Sequence, residues 1–137
     1  MQLFDLFENK EPKKQSFVTA LHDFLPLAIK HIGITQIPKI NLEKEIDNNG
    51  QPTFGRFNSE TGIISLAINQ RHPVDILRTL AHELVHYGQN ERGEITSTSG
   101  ETGSDIENEA NAEAGVIMRL FSKQYPQYIK LIPLTLP

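Results

Sequence analysis

His82-Glu83-Leu84-Val85-His86, set inside the longer run Pro73–Glu91, is the stretch that decides how this chain is read. Taking about 100° per residue, Pro73, Val74, Leu77, Leu80, Ala81, Leu84 and Gly88 gather on one side of the run, as on a helix with a core face. The ends are marked too: a proline at the first helical position after His72, Asp75 at the positive end of the dipole, and Gly93 after Arg92. His82 and His86 fall nearly opposite the centre of the core face, one turn apart, with Cβ atoms about 5–6 Å from each other. Two imidazoles at that spacing can reach one zinc ion at about 2.0–2.1 Å. Glu83 projects from a neighbouring line of the helix, where it could hold and deprotonate a metal-bound water. A five-residue pattern does arise by chance, so context decides. A satisfied core histidine would sit within the apolar stripe, and a solvated charged face would not normally carry two histidines bracketing a glutamate.

A catalytic zinc needs three protein ligands and one open position. The chain has five histidines, and the three outside the motif, His22, His31 and His72, all precede it. The better source of a third ligand is the acidic segment 104–114, in which Ile106, Ala110, Ala114, Ile117 and Phe121 mark the buried stripe of a second helix. Glu107 lies closest to that stripe, Glu113 further round on the other side, and Glu109 points most nearly to solvent. Glu107 is therefore the expected ligand. It has a competing use, because Ser104-x-x-Glu107 is a capping box in which the glutamate reaches back to the Ser104 backbone. The ligand role is favoured, since two histidines with no third partner would otherwise be left unexplained.

On these residues the chain resembles the gluzincin metallopeptidases, several families of which carry E-x-x-A-D or E-x-x-A-N on a helix after H-E-x-x-H. The match here is Glu107-Asn108-Glu109-Ala110-Asn111. The resemblance implies Glu107 as the third zinc ligand and Asn111 as the partner that fixes a ligating histidine, in keeping with the rule that metal-bound imidazoles have their second nitrogen held. The short domain, with a helix and a few strands before the motif, is also similar to the minimal SprT-like and ImmA/IrrE-like peptidases, the latter implying cleavage of one regulatory protein. The likeness covers roughly residues 36–121.

Around this core the expected fold is α+β and zincin-like: a small β-sheet with a hairpin, packed on the motif helix, an N-terminal helix, and a C-terminal ligand-bearing helix. Residues 1–15 read as an arm with one apolar patch, Leu3, Phe4, Leu6 and Phe7, and residues 16–137 as a single domain. A helix begins at Ser16, turns Phe17, Leu21, Phe24, Leu25 and Ala28 inward, kinks at Pro26 and ends at Gly33. Residues 38–46 alternate as a half-buried strand with Ile40, Leu42 and Ile46 on one side. After the turn signal Asn48-Asn49-Gly50 come strands over 53–57 and 63–68, joined by a five-residue connection. In zincin families an edge strand pairs with an extended peptide substrate, though which strand forms the edge is not written in the sequence. Residues 93–103 form a loop that is either a lid over the metal or a plain connector. The tail from Pro126 is too apolar for a free end and is expected to pack, extended, on this chain or a second subunit.

With 137 residues, 38% of them hydrophobic, the chain has room for one core. It has no cysteine, so a metal would be held by nitrogen and oxygen. A net charge of −4 leaves no electrostatic footprint for nucleic acid, and the cluster Lys10, Lys13 and Lys14 is diluted by Glu8 and Glu11. No apolar run near twenty residues exists to span a membrane, and the N-terminus lacks the pattern of a secretory signal, so a cytoplasmic site is expected. The expected function is a zinc-dependent metallopeptidase: His82, His86 and Glu107 hold Zn2+, Glu83 is the general base, and a peptide or protein is the substrate. His72, Tyr87, Arg119, Tyr125 and Tyr128 are candidate donors to the oxyanion. The alternative is a zincin-fold binding or structural protein with little or no peptidase activity, as part of a larger assembly. An intact Glu83 argues against it, because a structural metal needs no general base.

Overall fold

Helix α1 (Pro12–Ile32) forms where the inward apolar spacing predicts one. Phe17, Leu21, Phe24, Leu25 and Ala28 are all buried. It starts one turn before Ser16, at a proline whose fixed φ suits a first helical turn. It runs on through Pro26, which lies on the exposed side. Gly33, at φ +86°, ends it by donating its N–H to the Ile29 carbonyl at 2.9 Å. The computed structural model describes residues 12–96 and 104–136; the apolar patch at Leu3–Phe7 and most of the 93–103 loop, with its lid reading, lie outside the described residues.

The chain then builds a three-stranded sheet in the order β1-β5-β4, from β1 (Ile40–Glu43), β4 (Gly55–Asn58) and β5 (Ile63–Ala67). β1 runs parallel to β5 and β4 antiparallel to it, which makes the sheet mixed. The register sets Leu42, Leu66 and Gly55 side by side in one row and Ile40, Ile64 and Phe57 in another. The leucines and isoleucines of both rows are buried. The alternation over residues 38–46 does not continue as one strand. After Glu43 the chain leaves the sheet, and β2 (Ile46–Asn48) pairs instead with β3 (Gln51–Thr53) in a separate ribbon. Asn49 and Gly50, both at positive φ (55° and 82°), close that ribbon as a two-residue turn. The strand expected over 53–57 is likewise divided: Thr53 ends the ribbon, Phe54 bends, and β4 begins at Gly55. The β4–β5 connection is four residues rather than five, because Asn58 is still paired and its Oδ1 takes the N–H groups of Glu60 and Thr61.

The motif helix, α2 (Pro73–Glu91), has the bounds its periodicity predicts. The whole expected core face is buried, but so are Ile76, Glu83, Val85 and Gln89. The helix contacts α1 on one side, the sheet on another and α3 (Asp105–Gln124) on a third, so little of it meets solvent. On α3, Ala110, Ala114, Ile117 and Phe121 are buried as expected, whereas Ile106 is only half-buried at the edge of a cleft. The tail opens with a 3-10 turn (Pro126–Lys130) before it extends. It packs on this chain: Leu134 is fully buried, its N–H donates to the Arg71 carbonyl at 3.0 Å and its carbonyl accepts from Gln70 at 2.6 Å. The described residues thus make an α+β unit of three α-helices, a small mixed sheet and a ribbon. None of these helices is long and apolar enough to cross a membrane.

Candidate metal centre

α2 supplies two of the cluster's side chains and the first turn of α3 supplies the third. Ser104 caps α3, its hydroxyl accepting the Glu107 N–H at 3.1 Å. That cap fixes where Glu107 stands on the turn. Its carboxylate faces α2, with Oε1 2.8 Å from His82 Nε2 and Oε2 3.2 Å from His86 Nε2. The two Nε2 atoms are 3.1 Å apart. Tetrahedral ligands at about 2.0–2.1 Å from a zinc ion are themselves about 3.3 Å apart. The three donor groups, all partly buried, offer atoms within 4.8 Å of one another and could hold a divalent ion. Two imidazole nitrogens and a carboxylate are also a donor set such an ion takes.

The charge state of His82 agrees with that use. Burial, with His86 beside it, lowers its pKa, against the opposing pull of Glu107 and a hydrogen bond to the Asn111 side chain. Burial thus favours the neutral imidazole at His82, the form that binds a metal. Asn111, on the exposed side of α3, stands where the E-x-x-A-N resemblance puts a histidine partner.

Glu83 lies on the floor of the site, only 6% exposed, with Oε1 3.9 Å from His82 Nε2. Its Oε2 is buried and has no hydrogen-bond partner among the described residues. An orphaned buried acceptor costs about 1–3 kcal/mol, and more when charged. Burial first, and then the Glu107 carboxylate, pushes the Glu83 carboxyl up to about 8.

The cluster opens into a cleft of about 640 Å³, walled by β4 on one side and α3 on the other. Three features of it were not foreseen. Gly55 permits the wall to stand so close: a Cβ there would meet Thr79 Cγ2 at 2.4 Å and Glu83 Cγ at 3.4 Å. A lone glycine in a strand is a sequence signal of close approach. Gln89, fully buried, sits one turn after His86, with Oε1 2.8 Å from His86 Nδ1. Arg56 and Arg78 line the cleft as exposed cations. Arg78 comes from the turn of α2 preceding His82.

The five candidate oxyanion donors are placed elsewhere, and none of them lines this cleft. His72 caps α2, its Nδ1 accepting the Val74 N–H at 3.0 Å while Nε2 lies 3.1 Å from the Ile129 carbonyl. Tyr87 packs edge-on against Phe57, and Tyr125 and Tyr128 surround Phe121. Arg119 is exposed on α3. Glu113, the more distant acidic alternative, is engaged with His31 at 2.7 Å, and Glu109 with Gln89 and Arg92.

Comparison of the chain with protein-family models, with curated proteins and with solved structures returned no match.

Proposed function

We propose that this chain is a zinc-dependent metallopeptidase of the gluzincin kind, with a zincin-like arrangement of sheet and helices. The observation that carries the reading is Glu83: a carboxyl kept buried beside three convergent metal donors, with one oxygen unpartnered. A structural metal site has no use for that oxygen. His82, His86 and Glu107 would hold the ion, which when bound supplies Lewis acidity toward a peptide carbonyl and toward water. Glu83 Oε2 takes up the proton of the attacking water and returns it to the departing amine. Burial, which raises the pKa of Glu83, makes its carboxylate a better acceptor for that proton. Asn111 orients His82, and Arg78 and Arg56 offer hydrogen bonds to the carbonyl oxygens of a substrate.

The substrate is an extended peptide. Among the described residues β4 pairs only with β5, so its outer edge is free alongside the cleft, and an extended chain can add there as a further strand. A smaller cleft lined by Phe54, Arg71 and Arg78 adjoins that wall.

The test compares wild type with Glu83→Gln on a panel of denatured proteins, with zinc content measured in parallel on His82→Ala and Glu107→Ala. The expected result is one equivalent of zinc in wild type and in Glu83→Gln, its loss in the other two, and turnover reduced by about 10²–10⁴-fold in Glu83→Gln. Cleavage of several unrelated proteins marks a general peptidase and cleavage of none points to a single target. Wild-type turnover in Glu83→Gln would refute the enzyme reading.

A further inference from the structure

Gln89 is fully buried and makes three hydrogen bonds. Its Nε2 donates to the Ile106 carbonyl at 3.0 Å and to Glu109 Oε1 at 2.9 Å, while Oε1 faces His86 Nδ1 at 2.8 Å. The orientation of the amide follows from chemistry. A carbonyl and a carboxylate only accept, so the NH₂ group must face them, and Oε1 must face the ring. An amide oxygen only accepts as well, so the His86 Nδ1 facing it carries a proton, which leaves Nε2 to face the cleft, 3.2 Å from Glu107 Oε2 and 3.1 Å from His82 Nε2. Glu109 is held in turn by Arg92, whose Nη2 lies 3.5 Å from the same carboxylate oxygen. The two acceptors taken by Nε2 belong to the first turn of α3, on either side of Glu107. One buried side chain therefore grips both elements that carry the metal donors.

We infer that Gln89 is a positioning residue of the metal centre: it sets His86 in the Nδ1–H tautomer and docks the first turn of α3 so that Glu107 meets the histidine pair. The inference rests on the reading of His82, His86 and Glu107 as metal ligands, but its first consequence exists without metal. A residue that merely filled space at this position would fix no tautomer.

The test uses the full chain freed of metal, with the His86 ring nitrogens followed by ¹⁵N NMR at a pH where the ring is neutral, and zinc affinity measured by competition with a chelator. Wild type is expected to show Nδ1 protonated. Gln89→Leu is expected to lose that preference and to bind zinc about 10–100-fold more weakly. Gln89→Glu keeps an acceptor for Nδ1–H but faces Glu109 and the Ile106 carbonyl with like polarity, so it is expected to keep the tautomer and still lose zinc affinity. Glu109→Ala, a surface change that does not threaten the fold, is expected to give a smaller loss in the same direction. It carries the test should Gln89→Leu fail to fold. Nε2–H in metal-free wild type would overturn the inference, as would wild-type zinc affinity in a folded Gln89→Leu. Nδ1–H in a wild type that takes up no zinc would instead uphold the tautomer assignment and sink the metal reading.

Discussion

A glutamate buried as deeply as Glu83, with another carboxylate near it, is a liability, and that liability is measurable. The folded protein holds the Glu83 proton up to about pH 8, while an unfolded chain releases it near the ordinary 4.5. The folded state therefore binds more protons in that window, and the contribution runs opposite to that of a salt-bridged carboxylate. It is fully present below pH 4.5 and is lost as pH rises through 8. Metal-free wild type is expected to lose on the order of a few kcal/mol across this range, at about 1.4 kcal/mol per pH unit. Glu83→Gln should flatten the profile, as read by urea unfolding at several pH values in the presence of chelator. A wild-type profile no steeper than that of the variant would show that Glu83 is solvated. At this scale His82, Glu83 and His86 were legible because one helix carries all three and helical spacing is a local property. Glu107 was legible only as a preference over Glu109 and Glu113. The choice depends on how α3 meets α2, where Gln89 bonds across to the Ile106 carbonyl, a contact the linear order does not display.

Between elements, the decisive approach is that of β4 to α2. Gly55 lies in register with Leu66 and over Thr79 and Glu83, so the edge strand can rest directly on the helix that carries the cluster. Arg71 secures the same corner. Its guanidinium donates to the Ala67 carbonyl at 2.7 Å, the Phe54 carbonyl at 3.4 Å and Thr79 Oγ1 at 2.7 Å, and it lies 4.3 Å over the Phe54 ring. Gly55→Ala should push the strand outward, cost about 1–3 kcal/mol of stability and lower peptide turnover more than zinc content. Thr79→Ser removes the methyl the new Cβ would strike and keeps the hydroxyl that Arg71 needs. The double variant should recover stability and turnover; failure to recover either would show that contact with Thr79 is not what requires a glycine. The three described α-helices were legible from apolar periodicity, with ends marked by Pro73, Gly33 and Ser104. The strands were less so. Residues 38–46 and 53–57 keep alternating through points where the chain passes from the sheet to the ribbon, because alternation records burial on one side and not which neighbour provides it.

For the molecule as a whole, the core is continuous from α1 through the sheet to α3, and the tail closes it. Leu134 is buried against this core while its backbone pairs with Gln70 and Arg71, so the last segment braces the loop from which Arg71 holds the β4 corner. Tyr128 stacks on Phe121 and donates its hydroxyl to Asp23, which ties the same segment to α1. Leu134→Ala is expected to cost about 2–5 kcal/mol in chemical unfolding. A change under about 0.5 kcal/mol, within the range of ordinary surface substitutions, would mean the tail is not part of the folding unit. Saturating zinc should raise the stability of wild type by about 2.7 kcal/mol at one hundred times its Kd, and should do nothing for His82→Ala. The sequence by itself determined the features that depend on local spacing: the α+β class, the three helices, the inward faces, and a histidine pair bracketing a glutamate. Tertiary structure alone decided that β4 is an edge strand beside the cleft, which buried amide faces His86, where the tail lies, and that Glu83 Oε2 has no partner among the described residues. Those depend on how elements far apart in the chain meet, and the packing that brings them together is cooperative, so no single stretch of residues encodes it.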